Sequence, residues 1–172
     1  AEGRSISLIA GENIIDGGDT GENDIQSNNL VVYSIGATGH DDTDLNALEI
    51  EVDFLSAISG GAGIFLNEAD IITVQEVSAS IKRVDETGSV FQVSYMQEDL
   101  RTLQNGNIIL TTGDTLTITE GGLDDAEGNV LGIKAAGSGS IFLKTTSGNI
   151  DLQSGIAATN GHISLNAGAG DI

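Results

Sequence analysis

Carboxylates crowd three stretches of this chain: Asp16, Asp19, Glu22 and Asp24; Asp41, Asp42 and Asp44; and Glu120, Asp124, Asp125 and Glu127. Oxygen ligands on glycine-rich loops suit calcium, a hard cation that takes many oxygens in flexible geometry. The metal-ligand candidates are Asp16, Asp19, Glu22, Asp24, Asp41, Asp42 and Asp44. Against this, Gly17-Gly18-Asp19-Thr20-Gly21-Glu22-Asn23-Asp24-Ile25 fits a calcium-binding nonapeptide only with an inserted residue, and it does not recur in tandem. Isolated charge runs are usually solvated surface, so the expectation is acidic loops that require no cofactor, with calcium as the alternative.

Other chemistry has less to build on. His40 and His162 stand far apart, and the second occupies a repeated position otherwise held by Asn or Ser, which makes it a surface corner. Carboxylate pairs for glycoside hydrolysis are too numerous to single out. Lyase action on acidic sugars needs cations, and Arg4, Lys82, Arg83, Arg101, Lys134 and Lys144 are all the chain has. The Thr115-x-Thr117-x-Thr119 run does not recur in the other repeats, which excludes a flat ice-binding face. The reading is therefore not an enzyme.

What must carry these loops is a repeat. Gly106-Asn107-Ile108, Gly128-Asn129-Val130, Gly148-Asn149-Ile150 and Gly170-Asp171-Ile172 recur at intervals of 22, 20 and 22 residues. A second set, Gly139-Ser140-Ile141-Phe142-Leu143 and Gly161-His162-Ile163-Ser164-Leu165, is also 22 apart. Two short strands in each interval of about 22 residues predict an all-β fold, a parallel β-helix or β-solenoid, whose turns stack to share one core. Ile108, Leu110, Ile141, Leu143, Ile150, Leu152, Ile163 and Leu165 are the residues expected to face inward.

Composition agrees. Twenty-four glycines supply corners, and the absence of proline leaves every N–H free to join a ladder. A formal charge of −20 excludes nucleic acid and anionic membrane surfaces as partners, and no run is long enough to insert in a membrane. There is no cysteine, so packing and ladders must supply the stability. The chain reads as a single module over 1–172, with regular turns over 106–172 and an irregular or inserted region over 15–105. Loops are expected at 16–29, 36–46 and 120–129, and strands at 48–54, 71–77, 80–84, 90–95, 108–110, 116–119 and 130–133. Residues 162–172 resemble residues 5–14, 157 positions earlier, so the chain is expected to be one slice of a longer repeating protein.

The repeated Gly-Asn-Ile-Ile-Leu, Gly-Ser-Ile-Phe-Leu, Gly-Asn-Ile-Asp-Leu and Gly-His-Ile-Ser-Leu resemble the repeats of filamentous-haemagglutinin-type adhesins and related giant bacterial surface proteins. The resemblance is clearest over 106–172 and extends to 3–14. It implies a right-handed parallel β-helix, secretion, an extracellular or cell-surface location on a bacterium, and a role as the shaft of an adhesin or filament. The expected partners are neighbouring repeats of the same protein stacked head to tail, and a cell-surface or polysaccharide ligand of the parent protein. The alternative function is a calcium-dependent carbohydrate- or partner-binding module.

Overall fold

Short β-branched and aliphatic runs bounded by glycine favour strands over helices, and strands are what form. The computed structural model describes residues 4–17, 22–39, 47–119, 121–124, 128 and 130–172. Among the described residues there are seventeen strands and no helix. Fifteen of the strands belong to one large sheet, parallel apart from one short antiparallel pair.

The parallel strands fall into three columns. The first contains β3 (Ala37–Thr38), β5 (Gly63–Glu68), β10 (Asn107–Thr112), β14 (Ile141–Thr145) and β17 (Ile163–Ala167). The second contains β6 (Ile72–Val74), β11 (Leu116–Ile118) and β15 (Ile150–Leu152). The third contains β9 (Leu100–Thr102), β13 (Val130–Ala135) and β16 (Gly155–Ala158). From β5 onward the chain visits the columns in the same order, first, second, third. Three longer strands cross columns without a break: β1 (Ser5–Ala10) runs through the second and third, and β2 (Ile25–Ser34) and β4 (Leu48–Ser59) run through all three.

Register makes the core. Ile64, Ile108, Ile141 and Ile163 pair in one row, and Leu48, Leu66, Leu110, Leu143 and Leu165 in another. Rows of like aliphatic side chains from the three columns meet in a single buried cluster. Ile108, Leu110, Ile141, Leu143 and Ile150 are buried in it, and Leu165 is half-buried against it.

Two of the residues expected to be inward are instead open to solvent, Leu152 at 43% and Ile163 at 45%. Both keep the register of the buried residues beside them, Ile118 and Ile141. Their exposure therefore comes from having a strand on one side only. Ile150 escapes this because Asp171-Ile172 lies over it, with the Ile150 N–H donating to the Asp171 carbonyl at 2.9 Å.

Other expectations need correction. The reading of two strands per interval misses the third column. The loop expected over 16–29 gives way to β2 from Ile25. The likeness of 162–172 to 5–14 joins unlike places: Ile6 pairs with Leu30 in the second column, whereas Ile163 stands in the first. The irregular stretch contributes β2, β3, β4, β5, β6 and β9 to the same sheet. Its true departure is an antiparallel hairpin, β7 (Val77–Val84) with β8 (Val90–Gln97), which forms a sheet of its own. The remaining short strand, β12 (Leu123–Asp124), turns back along β13.

The recurrent glycine has a steric cause. A Cβ on Gly139 would collide with the Gly106 carbonyl oxygen, one on Gly161 with the Gly139 oxygen, and one on Gly106 with the backbone of Gly63. The corners stack too closely for any side chain. Gly139→Ala is expected to cost about 2 kcal/mol, as overpacking against backbone that cannot step aside does, and a urea melt against wild type measures it.

Candidate functional site

The sheet brings together some of the acidic residues singled out in the sequence. The first column is interrupted after Ile14, which bridges to Thr38, and again after Thr38. The column is taken up again at Asp24 and at Leu48 of β4. At the re-entry, the carboxylate oxygens of Asp16, Asp24 and Glu49 all lie within 4.8 Å of one another. Two hydrogen bonds fix this corner: Asp24 N–H donates to the Glu49 carbonyl at 2.9 Å, and Glu49 N–H donates to Asp24 Oδ2 at 3.2 Å. Asp16 is 7% exposed, so one carboxylate of the three is carried inward.

Of the sequence candidates, Asp16 and Asp24 therefore converge, while Glu22 is exposed and stands outside the group. Asp19, Asp41, Asp42 and Asp44 lie outside the described residues, as do Glu120, Asp125, Glu127 and His40. Glu49 was not a candidate, because Leu48-Glu49-Ile50-Glu51-Val52-Asp53-Phe54 reads as an ordinary strand with its acids turned outward. Only the register of β4 against β2 carries it to Asp24. Three close carboxylates repel one another, and a divalent cation would relieve that repulsion.

A second constellation runs along the corners. The side chains that follow Gly106, Gly139 and Gly148, and Thr115 at the equivalent place, accept the N–H of their counterparts in the next layer. Asn107 Oδ1 accepts from Ser140 N at 2.9 Å, and Ser140 Oγ from His162 N at 3.0 Å. One column on, Thr115 Oγ1 accepts from Asn149 N at 3.3 Å, and Asn149 Oδ1 from Asp171 N at 2.9 Å. Such a ladder needs a short acceptor at a fixed place in every layer. This is the physical reason that Asn, Ser and Thr recur there.

The hydroxyls at the strand ends are occupied in the same way. Thr102 Oγ1 donates to the Gly106 carbonyl at 3.0 Å, Thr112 Oγ1 to Asp114 at 2.5 Å and Thr145 Oγ1 to Gly148 at 2.5 Å. Each of these threonines is buried. Where Thr112 and Thr145 stand in the first column, the preceding layer carries Glu68. Its carboxylate accepts from Val52 N at 3.1 Å and Asp70 N at 3.3 Å. Burial pushes this carboxyl up to about 8, against the opposing pull of those two N–H groups, with the neighbouring Asp70 charge adding to the rise.

No family model matches the chain, and comparison with curated proteins and with solved structures gives no match either. The functional reading therefore rests on the geometry. That geometry offers ladders that join one layer to the next and one acidic corner.

Proposed function

We propose that this chain is a three-sided parallel β-helix that serves as a non-catalytic structural module, a shaft segment of an extracellular bacterial filament or adhesin. The observation that carries the reading is the in-register row Ile64–Ile108–Ile141–Ile163, flanked by the glycine corners and the acceptor ladder. Ile141 and Ile163 are 22 residues apart, which is the basic turn. Larger steps in the same row have visible causes. The step from Ile64 to Ile108 contains the β7–β8 hairpin, and that from Ile108 to Ile141 contains the 120–129 segment.

In this reading the partners are further layers of the same kind, stacked head to tail, and beyond the shaft a cell-surface or polysaccharide ligand of the parent protein. Handedness and surface location follow the resemblance to filamentous-haemagglutinin-type repeats. Outward acidic residues keep such a rod soluble and oppose pairing of exposed edges with the wrong partner. Cryo-electron microscopy of the parent assembly from its native source tests the proposal. A long fibre with an axial repeat near ~4.8 Å is expected, and compact isolated particles would overturn it.

One observation favours a second reading, calcium-dependent binding: the convergence of Asp16, Asp24 and Glu49. A cation that binds the folded state stabilises it by about 2.7 kcal/mol at a hundredfold excess over Kd. Millimolar calcium is therefore expected to raise Tm, and Asp24→Asn to remove that rise without lowering the calcium-free Tm. Calorimetric scans with calcium and with chelator measure both.

A further inference from the structure

The β7–β8 hairpin is a two-stranded sheet of its own, so each of its strands has one partner and one open edge. β7 is tied to the body of the molecule: it lies against β1, β2 and β4, with Val77 and Ala79 buried beside Val31. Its outer half carries Lys82 and Arg83, and charge on an edge strand discourages pairing with another chain. β8 carries no such guard. From Gly88 to Gln97 there is neither a charged residue nor a proline, on a chain of formal charge −20, and Val90, Phe91 and Met96 are exposed. Two copies of so acidic a chain approach most easily where each is uncharged.

The ladder shows which backbone groups face that open edge. Asp85 N–H donates to the Ser89 carbonyl at 3.0 Å, one step beyond the Val84–Val90 pair. Along an antiparallel strand, successive residues turn their N–H and C=O to opposite sides. Counting from Ser89, Phe91, Val93 and Tyr95 turn theirs to β7, and Val90, Gln92, Ser94 and Met96 turn theirs outward. That outward row is a template for one more antiparallel strand.

The strand that fits it best is β8 itself. Laid antiparallel on a second β8 about a two-fold axis at Val93, Val93 meets Val93, Phe91 meets Tyr95, Val90 meets Met96 and Gln92 meets Ser94. Apolar residues meet apolar ones on both faces, and the polar residues meet each other. The phase agrees as well: Gln92 with Ser94 and Val90 with Met96 form the hydrogen-bonded pairs, while Phe91 with Tyr95 forms the close pair in which an aromatic contact is worth most. The Tyr95 ring is already held in place, with the Arg83 guanidinium 5.3 Å from its centroid. We infer that the open edge of β8 is an interface for a second copy of this chain, in which two hairpins join into one four-stranded antiparallel sheet. The outer strands of that sheet are the two β7 strands with their Lys82 and Arg83, so the assembly closes as a dimer. This interface lies on the flank of the molecule and is independent of the shaft reading and of the acidic corner.

The test is sedimentation velocity of the intact chain over a range of concentrations, joined to amide hydrogen exchange and to single cysteine variants of a chain that has no cysteine of its own. One strand pair is small for an interface, so a weak, concentration-dependent dimer is expected, with the amides of Gln92, Ser94 and Met96 gaining protection as it forms. Gln92→Pro removes an edge-facing N–H and leaves the β7 ladder intact, and should weaken the dimer about tenfold, the worth of one hydrogen bond from each copy. Val93→Cys sets the two introduced thiols opposite each other with Cα atoms about 4.5 Å apart, within a disulfide's reach. It should therefore cross-link on oxidation faster than Gln92→Cys or Ser94→Cys. The proposal is overturned if the chain stays monomeric at every concentration, which would leave the edge to another protein or to none, or if Gln92→Cys or Ser94→Cys cross-links as readily as Val93→Cys. It is overturned equally if a folded Gln92→Pro associates as wild type does with those amides unprotected, the result that stacking through the ends of the shaft alone would give.

Discussion

Replacing Ile108 by aspartate is expected to abolish cooperative unfolding at 25 °C, leaving a chain without the wild-type β-sheet circular dichroism. Ile108 is fully buried and sits between Ile64 and Ile141 in the first-column row. Removing its side chain forfeits about 2–3 kcal/mol of apolar burial, and a carboxylate in that row meets aliphatic neighbours from three columns. The sum exceeds about 5 kcal/mol, at or above the low end of total domain stability. The informative comparison is Ile163→Asp, in the same row but 45% exposed with a strand on one side only. That variant is expected to lose less than about 2 kcal/mol and to unfold cooperatively, because its charge can reach water. If both variants melted alike, the row would not be the continuous core that register makes it.

The contrast between those isoleucines also marks how far the sequence could be read. Ile108, Ile141 and Ile163 look alike in the chain, since each follows glycine and one polar residue, yet the repeat spacing sets Ile108 with Val130 and Ile150, and only register puts it in the row of Ile141 and Ile163. Whether a row position is covered depends on what lies on each side of it, which spacing does not encode. The first and second columns after residue 106 were legible because their strands carry alternating Ile and Leu. Of the third, only the strand expected at 130–133 was legible, as β13; Gly155-Ile156-Ala157-Ala158 has small residues and no alternation, and Leu100-Arg101-Thr102 is too short to show any.

Pairing direction was equally hidden. Val77–Val84 and Val90–Gln97 read like the strands around them, yet they fold on each other. Their turn is organised locally, with Thr87 N, Thr87 Oγ1 and Ser89 N all donating to Asp85 Oδ1, bonds that hold its carboxyl below the usual aspartate range. Of the acidic corner, Asp16 and Asp24 were visible as a loop cluster. Glu49 arrives from a strand 25 residues further on through register alone. Arg101 and Lys134 are likewise far apart in the chain, and only the parallel alignment of β9 and β13 makes them neighbours.

Stability should fall as pH rises from about 4.5 to about 8, and Glu68→Gln should remove that part of the fall. Glu68 is 1% exposed and its carboxyl is pushed up from 4.5 to about 8, chiefly by burial. Below 4.5 the group is protonated in both folded and unfolded chains and contributes no pH dependence. Between the two values the folded chain holds a proton that the unfolded chain has released, so unfolding becomes easier with each unit of pH. Above 8 both forms are ionised, the buried carboxylate exerts its full cost, and the dependence ends. A shift of this size corresponds to roughly 5 kcal/mol in a dry interior. The corner lies beside Asp70 and close to solvent, so about 3 kcal/mol is expected after screening. Glutamine keeps an oxygen for the Val52 N–H and carries no charge. Its stability relative to wild type should therefore climb through the same window and level off above it. Urea melts of the two proteins at pH 4.5, 6, 7 and 8.5, compared pairwise, cancel the titration of the many surface carboxylates that both share. A difference independent of pH would mean that Glu68 ionises as freely in the folded chain as in the unfolded one, and that threonine, the residue at the equivalent place in the next two layers, is preferred there for its corner hydrogen bond alone.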